Sequence, residues 1–216
     1  MAAPAVPALL AVWEQGQDQS PTWRALALLG AATPEADGDA LARWPLGRRD
    51  AALMRLRADL FGARVEAVAA CPACAEAVEL SFAPTDMDDD GTPAGAAPGA
   101  VTSADLLAVA ALPAGERARA IADRHGPGED FAAVERRLAA ADPLARLEVA
   151  LHCPACGHDW VAPFDVVGFL WAELHHWALR LLRDVHTLAR AYGWAEKDIL
   201  AMHPHRRRRY LELVAS

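Results

Sequence analysis

Two stretches decide the fold: VEAVAACPACAEAVELSF at residues 65–82 and LEVALHCPACGHDWVAPF at residues 147–164. In the first, Val65 and Val68 lead to Cys71-Pro-Ala-Cys74, and Val78, Leu80 and Phe82 follow with the two-residue alternation of a strand. In the second, Leu147, Val149 and Leu151 alternate into Cys153-Pro-Ala-Cys156, and Trp160, Ala162 and Phe164 lead out. Each stretch therefore predicts a β-hairpin whose turn carries two thiols. Two thiolates spaced Cys-x-x-Cys face one ion from a single tight turn, and a tetrahedral site needs two such turns. The pattern predicts one structural zinc ion held by Cys71, Cys74, Cys153 and Cys156.

Details of the turns fit that reading. Proline after the first cysteine presets φ for the turn, and Gly157 after the second pair suits a positive φ. Ala75 stands at the matching place in the first pair, at a cost of ~1 kcal/mol if its backbone is left-handed. A pair of thioredoxin-type redox dithiols would need a βαβ context with a helix starting at the first cysteine, and the sequence offers neither. Structural disulfides do not suit a chain expected in the cytoplasm. His152 and His158 flank the second pair, but four thiolates already complete a site. A closed four-thiolate site leaves no position for water or substrate, so the metal is expected to staple the hairpins together in the manner of a zinc ribbon.

Outward from the hairpins the text is helical. Residues 1–62 read as short helices, one capped by Ser20 with Pro21 in its first turn and Gly30 just past its end. Leu53, Leu56 and Leu60 predict an amphipathic helix from Leu46 to Phe61, stopped by Gly62. Residues 63–82 and 146–165 are the hairpins. The insert at 83–145 begins with an acidic Gly/Ala/Pro-rich loop, 84–99, containing Asp86, Asp88, Asp89 and Asp90 without the spacing of a calcium loop. It continues as short helices from Ser103 to Ala141, broken at Pro113 and at Gly126-Pro127-Gly128, and is expected to pack beside the metal site. In 166–216, Leu170, Leu174, Trp177, Leu181, Val185, Leu188 and Tyr192 form a near-heptad seam that predicts a helix of about 24 residues ended by Gly193. A short helix over Trp194 to Met202 and a basic one opened by Pro204 should follow. The fold class is α+β, mostly α, in one composite domain: a zinc-ribbon-like pair of hairpins with a helical insert and a long C-terminal helix.

Composition narrows the function. The chain of 216 residues carries a formal charge of -8, which opposes general binding to a phosphate backbone. Mean hydropathy is +0.08 and no apolar run reaches membrane-spanning length. Pro4 and Pro7 interrupt the apolar N-terminus, which lacks the basic region of a secretory signal, so the expected location is the cytoplasm. No phosphate loop or nucleophile elbow occurs, and His175, His176 and His186 accompany no metalloprotease pattern. The chain is read as no enzyme, with no small-molecule substrate. Its seven tryptophans are expected mainly as core anchors.

A set of local patterns resembles a known family. They are Leu46-Gly-Arg-Arg-Asp50, the run from Val65 to Cys74, Ala140-Ala-Asp-Pro143, Cys153 to His158, Pro163-Phe-Asp165, Phe169-Leu-Trp171-Ala-Glu173, Tyr192-Gly-Trp194, Asp198-Ile-Leu200-Ala and Arg206 to Leu213. Together, over roughly two thirds of the chain, they resemble the bacterial relatives of the T-even-phage baseplate hub assembly protein, found with phage-tail-like contractile injection systems. The resemblance implies a baseplate component or assembly factor that contacts hub or spike proteins and performs no catalysis. Tyr192, Trp194, Arg206, Arg207, Arg208 and Arg209 are the expected partner-facing residues, the arginines pairing with acidic groups. The competing expectation is a zinc-ribbon nucleic-acid-binding regulator using the same four arginines.

Overall fold

The computed structural model describes residues 3–83 and 99–215. Most of the acidic loop, with its four aspartates, lies outside the described residues. Four helices come first: α1 (Val6–Gln15), α2 (Pro21–Ala32), α3 (Gly38–Ala42) and α4 (Leu46–Phe61). The Ser20 side chain accepts from Trp23 N as expected of the cap. Gly30, however, lies inside α2. Ala31 and Ala32 carry the helix past it because Ala32 is buried in the core, and the Thr33 hydroxyl then donates to the Leu29 carbonyl at 2.6 Å.

Strands β1 (Val65–Ala70) and β2 (Ala77–Phe82) form the first antiparallel hairpin, with Val65 opposite Phe82 and Ala70 opposite Ala77. Strands β3 (Glu148–His152) and β4 (Asp159–Pro163) form the second. The hairpins are separate two-stranded sheets. Their apolar faces meet, with Phe82 edge-on to Phe164 at 5.2 Å. Val65 is fully buried at the base of the first, so the strand ends root in the helical core and the cysteine turns form the far tips.

Between the hairpins come α5 (Ser103–Ala108), α6 (Ala114–His125), α7 (Phe131–Ala141) and a 3-10 turn (Pro143–Ala145), broken where the proline and glycine residues predict. This insert, expected beside the cysteines, is anchored instead on α4. Leu46 N–H donates to the Val101 carbonyl at 3.0 Å, Arg49 reaches the Ser103 hydroxyl at 3.3 Å, and Gly47 N–H donates to Asp142 Oδ2 at 2.8 Å. A side chain at Gly47 would strike Asp142 and Leu144, so only glycine admits this approach.

The long helix α8 (Val166–Tyr192) has 27 residues. It starts earlier than the seam suggests because the Asp165 carboxylate caps Gly168 N at 2.9 Å. Its first half closes the main core against α2 and α4 through Leu170, Trp171 and Leu174. Arg57, buried at the end of α4, forks onto both oxygens of Glu173 at 2.8 Å and donates to the carbonyls of Gly62 and Arg64. One guanidinium thus joins α4, the entry to β1 and α8. The second half of α8 carries α9 (Glu196–Leu200) and α10 (Pro204–Ala215), packed through Val185, Leu188 and Ile199. Among the described residues, no helix is long and apolar enough to cross a membrane.

Candidate metal centre

The two cysteine turns are built alike. Cys71 N–H donates to the Glu76 carbonyl at 2.8 Å and Ala75 N–H to the Cys71 carbonyl at 2.8 Å. In the second turn Cys153 N–H donates to the His158 carbonyl and Gly157 N–H to the Cys153 carbonyl, both at 2.9 Å. Each turn needs one residue with positive φ, and these are Gly157 at 72° and Ala75 at 62°. Ala75 is the one non-glycine residue with positive φ among the described residues, so the alanine carries the strain its position implies.

The tips bring the four sulfur atoms within 4.8 Å of one another. Two pairs span the hairpins, Cys71 to Cys156 at 3.7 Å and Cys74 to Cys153 at 3.6 Å. A tetrahedron with metal–sulfur bonds of about 2.3 Å has edges of roughly 3.8 Å, so the array matches four thiolates around one ion. These distances are far beyond a covalent S–S bond of about 2.05 Å. Cys71 and Cys153 are buried with Val78 under Trp160, whereas Cys74 and Cys156 face outward.

The electrostatics of the thiols also call for a cation. Burial works to raise Cys71, but the N–H groups of Ala73 and Cys74 and the neighbouring thiols outweigh it and bring the group down to about 7. At Cys74 the Glu76 N–H favours the thiolate, yet the crowding by Cys156, desolvation, Cys153 and Cys71 pushes it up to about 12. Cys156 is also raised: the His158 N–H and Cys74 favour its thiolate, but desolvation, Cys153 and Cys71 prevail. One sulfur ionises readily and its neighbours then resist, as like charges in one site must. A divalent ion removes that conflict. Four sulfur donors in this geometry suit a single soft or borderline metal and leave no position for a substrate.

The histidines stand aside from this group. His152 Nδ1 lies 2.7 Å from Asp159 Oδ1 and His158 stacks on Trp160. On α8, His175 Nδ1 accepts from Trp13 Nε1 at 3.1 Å, and His176 Nδ1 contacts the Ala172 carbonyl at 2.8 Å. Of the tryptophans, Trp171 is buried and the other six are half-buried.

The residues expected to face a partner divide. Gly193, left-handed at φ 70°, ends α8 and folds the chain so that Tyr192 and Trp194 stack at 4.5 Å, with Tyr210 edge-on to Trp194 at 4.9 Å. These rings clasp α10 onto α8. Arg207 points inward, 9% exposed, and meets Asp184 of α8 at 3.4 Å. Arg209 pairs with Glu212 at 2.8 Å, while Arg206 and Arg208 are exposed. Four consecutive arginines therefore do not make one face, because successive helical residues turn by about 100°.

Sequence patterns gave no warning of the Arg57–Glu173 fork or the Gly47–Asp142 contact, which join residues far apart in the chain. No family model matches this chain, and no curated protein or solved structure shows significant similarity to it.

Proposed function

We propose that the four thiolates hold one zinc ion and that the chain is a non-enzymatic assembly factor or component of the baseplate hub of a contractile, phage-tail-like injection system. The observation that carries the first half is the four-sulfur group spanning two hairpins, Cys71 and Cys74 with Cys153 and Cys156. Zinc there supplies no reaction chemistry. It ties together segments separated by residues 75–152, so that the insert and both hairpins belong to one folded body. The second half rests on the resemblance carried by the local patterns. Several of those patterns supply joints of the fold: Gly47 with Asp142, Glu173 with Arg57, and Tyr192 with Trp194. A rigid, zinc-stapled body with no open metal position suits protein contact better than catalysis.

Co-expression with baseplate hub and spike proteins of a contractile tail tests the reading. A stable complex with one of them, or loss of assembled tail particles when the gene is deleted, is expected. Intact particles without the gene, together with no complex, would refute the assembly role. Salt-sensitive binding to DNA or RNA that is lost in Arg206→Ala/Arg208→Ala would instead favour a nucleic-acid-binding regulator.

A further inference from the structure

Each cysteine turn presents one thiol outward and keeps the other inside. Cys74 and Cys156 are exposed, whereas Cys71 and Cys153 are buried. The sulfur contacts join them crosswise. Exposed Cys74 meets buried Cys153 of the other hairpin at 3.6 Å, and exposed Cys156 meets buried Cys71 at 3.7 Å. The hairpins belong to separate two-stranded sheets, so no backbone ladder joins their tips. An accessible thiolate poised beside a second, resolving cysteine is the arrangement of a redox-sensing pair. This cluster holds two such pairs, each spanning both hairpins.

From this we infer that Cys74 and Cys156 are oxidation sites, and that peroxide converts the cluster into two disulfides across the hairpins, Cys74 with Cys153 and Cys156 with Cys71. The inference rests on the four-thiolate zinc reading and adds the regulation of that site. In the first step the Cys74 thiolate attacks one oxygen of hydrogen peroxide, the O–O bond breaks and hydroxide leaves, so the sulfur becomes a sulfenic acid. The Cys153 thiolate then attacks that sulfur, an S–S bond forms and a second hydroxide leaves. Two protons from the solvent turn the hydroxides into water, and two electrons have passed from the sulfur pair to peroxide. A second peroxide reacts in the same way at Cys156 and Cys71. Sulfurs joined in disulfides are no longer thiolates, so the oxidised site holds no zinc. Closure to a bond of about 2.05 Å asks only the tips to move, because the strand bases stay rooted through Phe82, Phe164 and Val65. Crosswise disulfides keep the tips joined once the metal has gone. Disulfides inside each turn would part them.

The test titrates the full zinc-loaded chain with hydrogen peroxide and follows metal release with a chromogenic chelator. Release should be complete at about two equivalents of peroxide per chain, one for each disulfide, and dithiothreitol with added zinc should restore the loaded form. Trypsin places the two turns on separate peptides, residues 65–117 and 147–180. Non-reducing mass spectrometry should find these peptides joined, with fragmentation assigning Cys74 to Cys153 and Cys71 to Cys156. With peroxide below one equivalent, dimedone should trap sulfenic acid on Cys74 and Cys156 and leave the buried pair unlabelled. Zinc content before oxidation separates the two readings. A chain that binds no zinc would refute the site and the inference together. A zinc-loaded chain that retains its metal at four equivalents of peroxide, yields only unjoined peptides with a disulfide inside each turn, or takes dimedone first on Cys71 or Cys153 would overturn the inference alone.

Discussion

Ala75 and Arg57 show how much single residues contribute here. Ala75 holds a left-handed backbone that its glycine counterpart, Gly157, adopts without strain. Ala75→Gly should stabilise the metal-loaded protein by about 1 kcal/mol, and Gly157→Ala should destabilise it by a similar amount. Denaturant melts of the two variants check this, and a loss of stability in Ala75→Gly would mean the first turn is not strained. Arg57 is nearly inaccessible and has four hydrogen bonds, two to Glu173 and two to backbone carbonyls. Truncating it leaves those acceptors without their donor, so Arg57→Ala should cost about 3 kcal/mol. Glu173→Gln, which keeps a hydrogen-bonding side chain, should cost less, about 1 kcal/mol. Equal costs for the two would show that the loss comes from packing rather than from the charged fork.

At the scale of elements, the helices are held by caps and joints that differ in how visible they are in sequence. The Ser20 cap and the Gly193 stop are readable because they depend on near neighbours along the chain. Asp105 is less so. It completes the Thr102 capping box at the start of α5 and also meets Arg124 and His125 at the end of α6, each at 3.4 Å. Desolvation alone would raise its carboxyl, but the Thr102 hydroxyl and N–H, His125 and Arg124 outweigh it and hold the group below its ordinary range. A carboxylate depressed on folding adds stability that is complete above the unfolded pKa and lost as pH falls through the folded one. Asp105→Asn should therefore cost about 1 kcal/mol at neutral pH, with the gap to the unaltered protein narrowing below about pH 4. Unfolding curves at several pH values read that gap. A constant difference across the range would contradict the charged role.

For the whole molecule, the hairpins, the sulfur cluster and the long seam were legible because each follows a short-period rule. Alternation gives Val78, Leu80 and Phe82, the repeated Cys-Pro-Ala-Cys gives the turns, and steps of three and four give α8. The docking of the insert was not legible. It depends on Gly47 and Asp142 meeting across 95 positions, and no local pattern encodes such a contact. The run Arg206 to Arg209 misled for a related reason: a charge run in sequence is scattered around a helix in space, and Asp184 draws Arg207 inward.

The central claim, that four cysteines from two distant hairpins share one metal on which the folded body depends, has consequences for metal binding. Binding must displace protons from the thiols, so affinity should fall as pH is lowered from 8 toward 6, approximately through the range where Cys71 loses its charge near 7. Cobalt substitution is the most direct test. The account predicts about one cobalt per chain, with a tetrahedral ligand-field spectrum and the thiolate-to-metal charge transfer of four sulfurs, and loss of both binding and cooperative unfolding in Cys153→Ser. Absence of cobalt binding, a spectrum of two-sulfur sites, or a metal-free protein that unfolds with undiminished stability would contradict it.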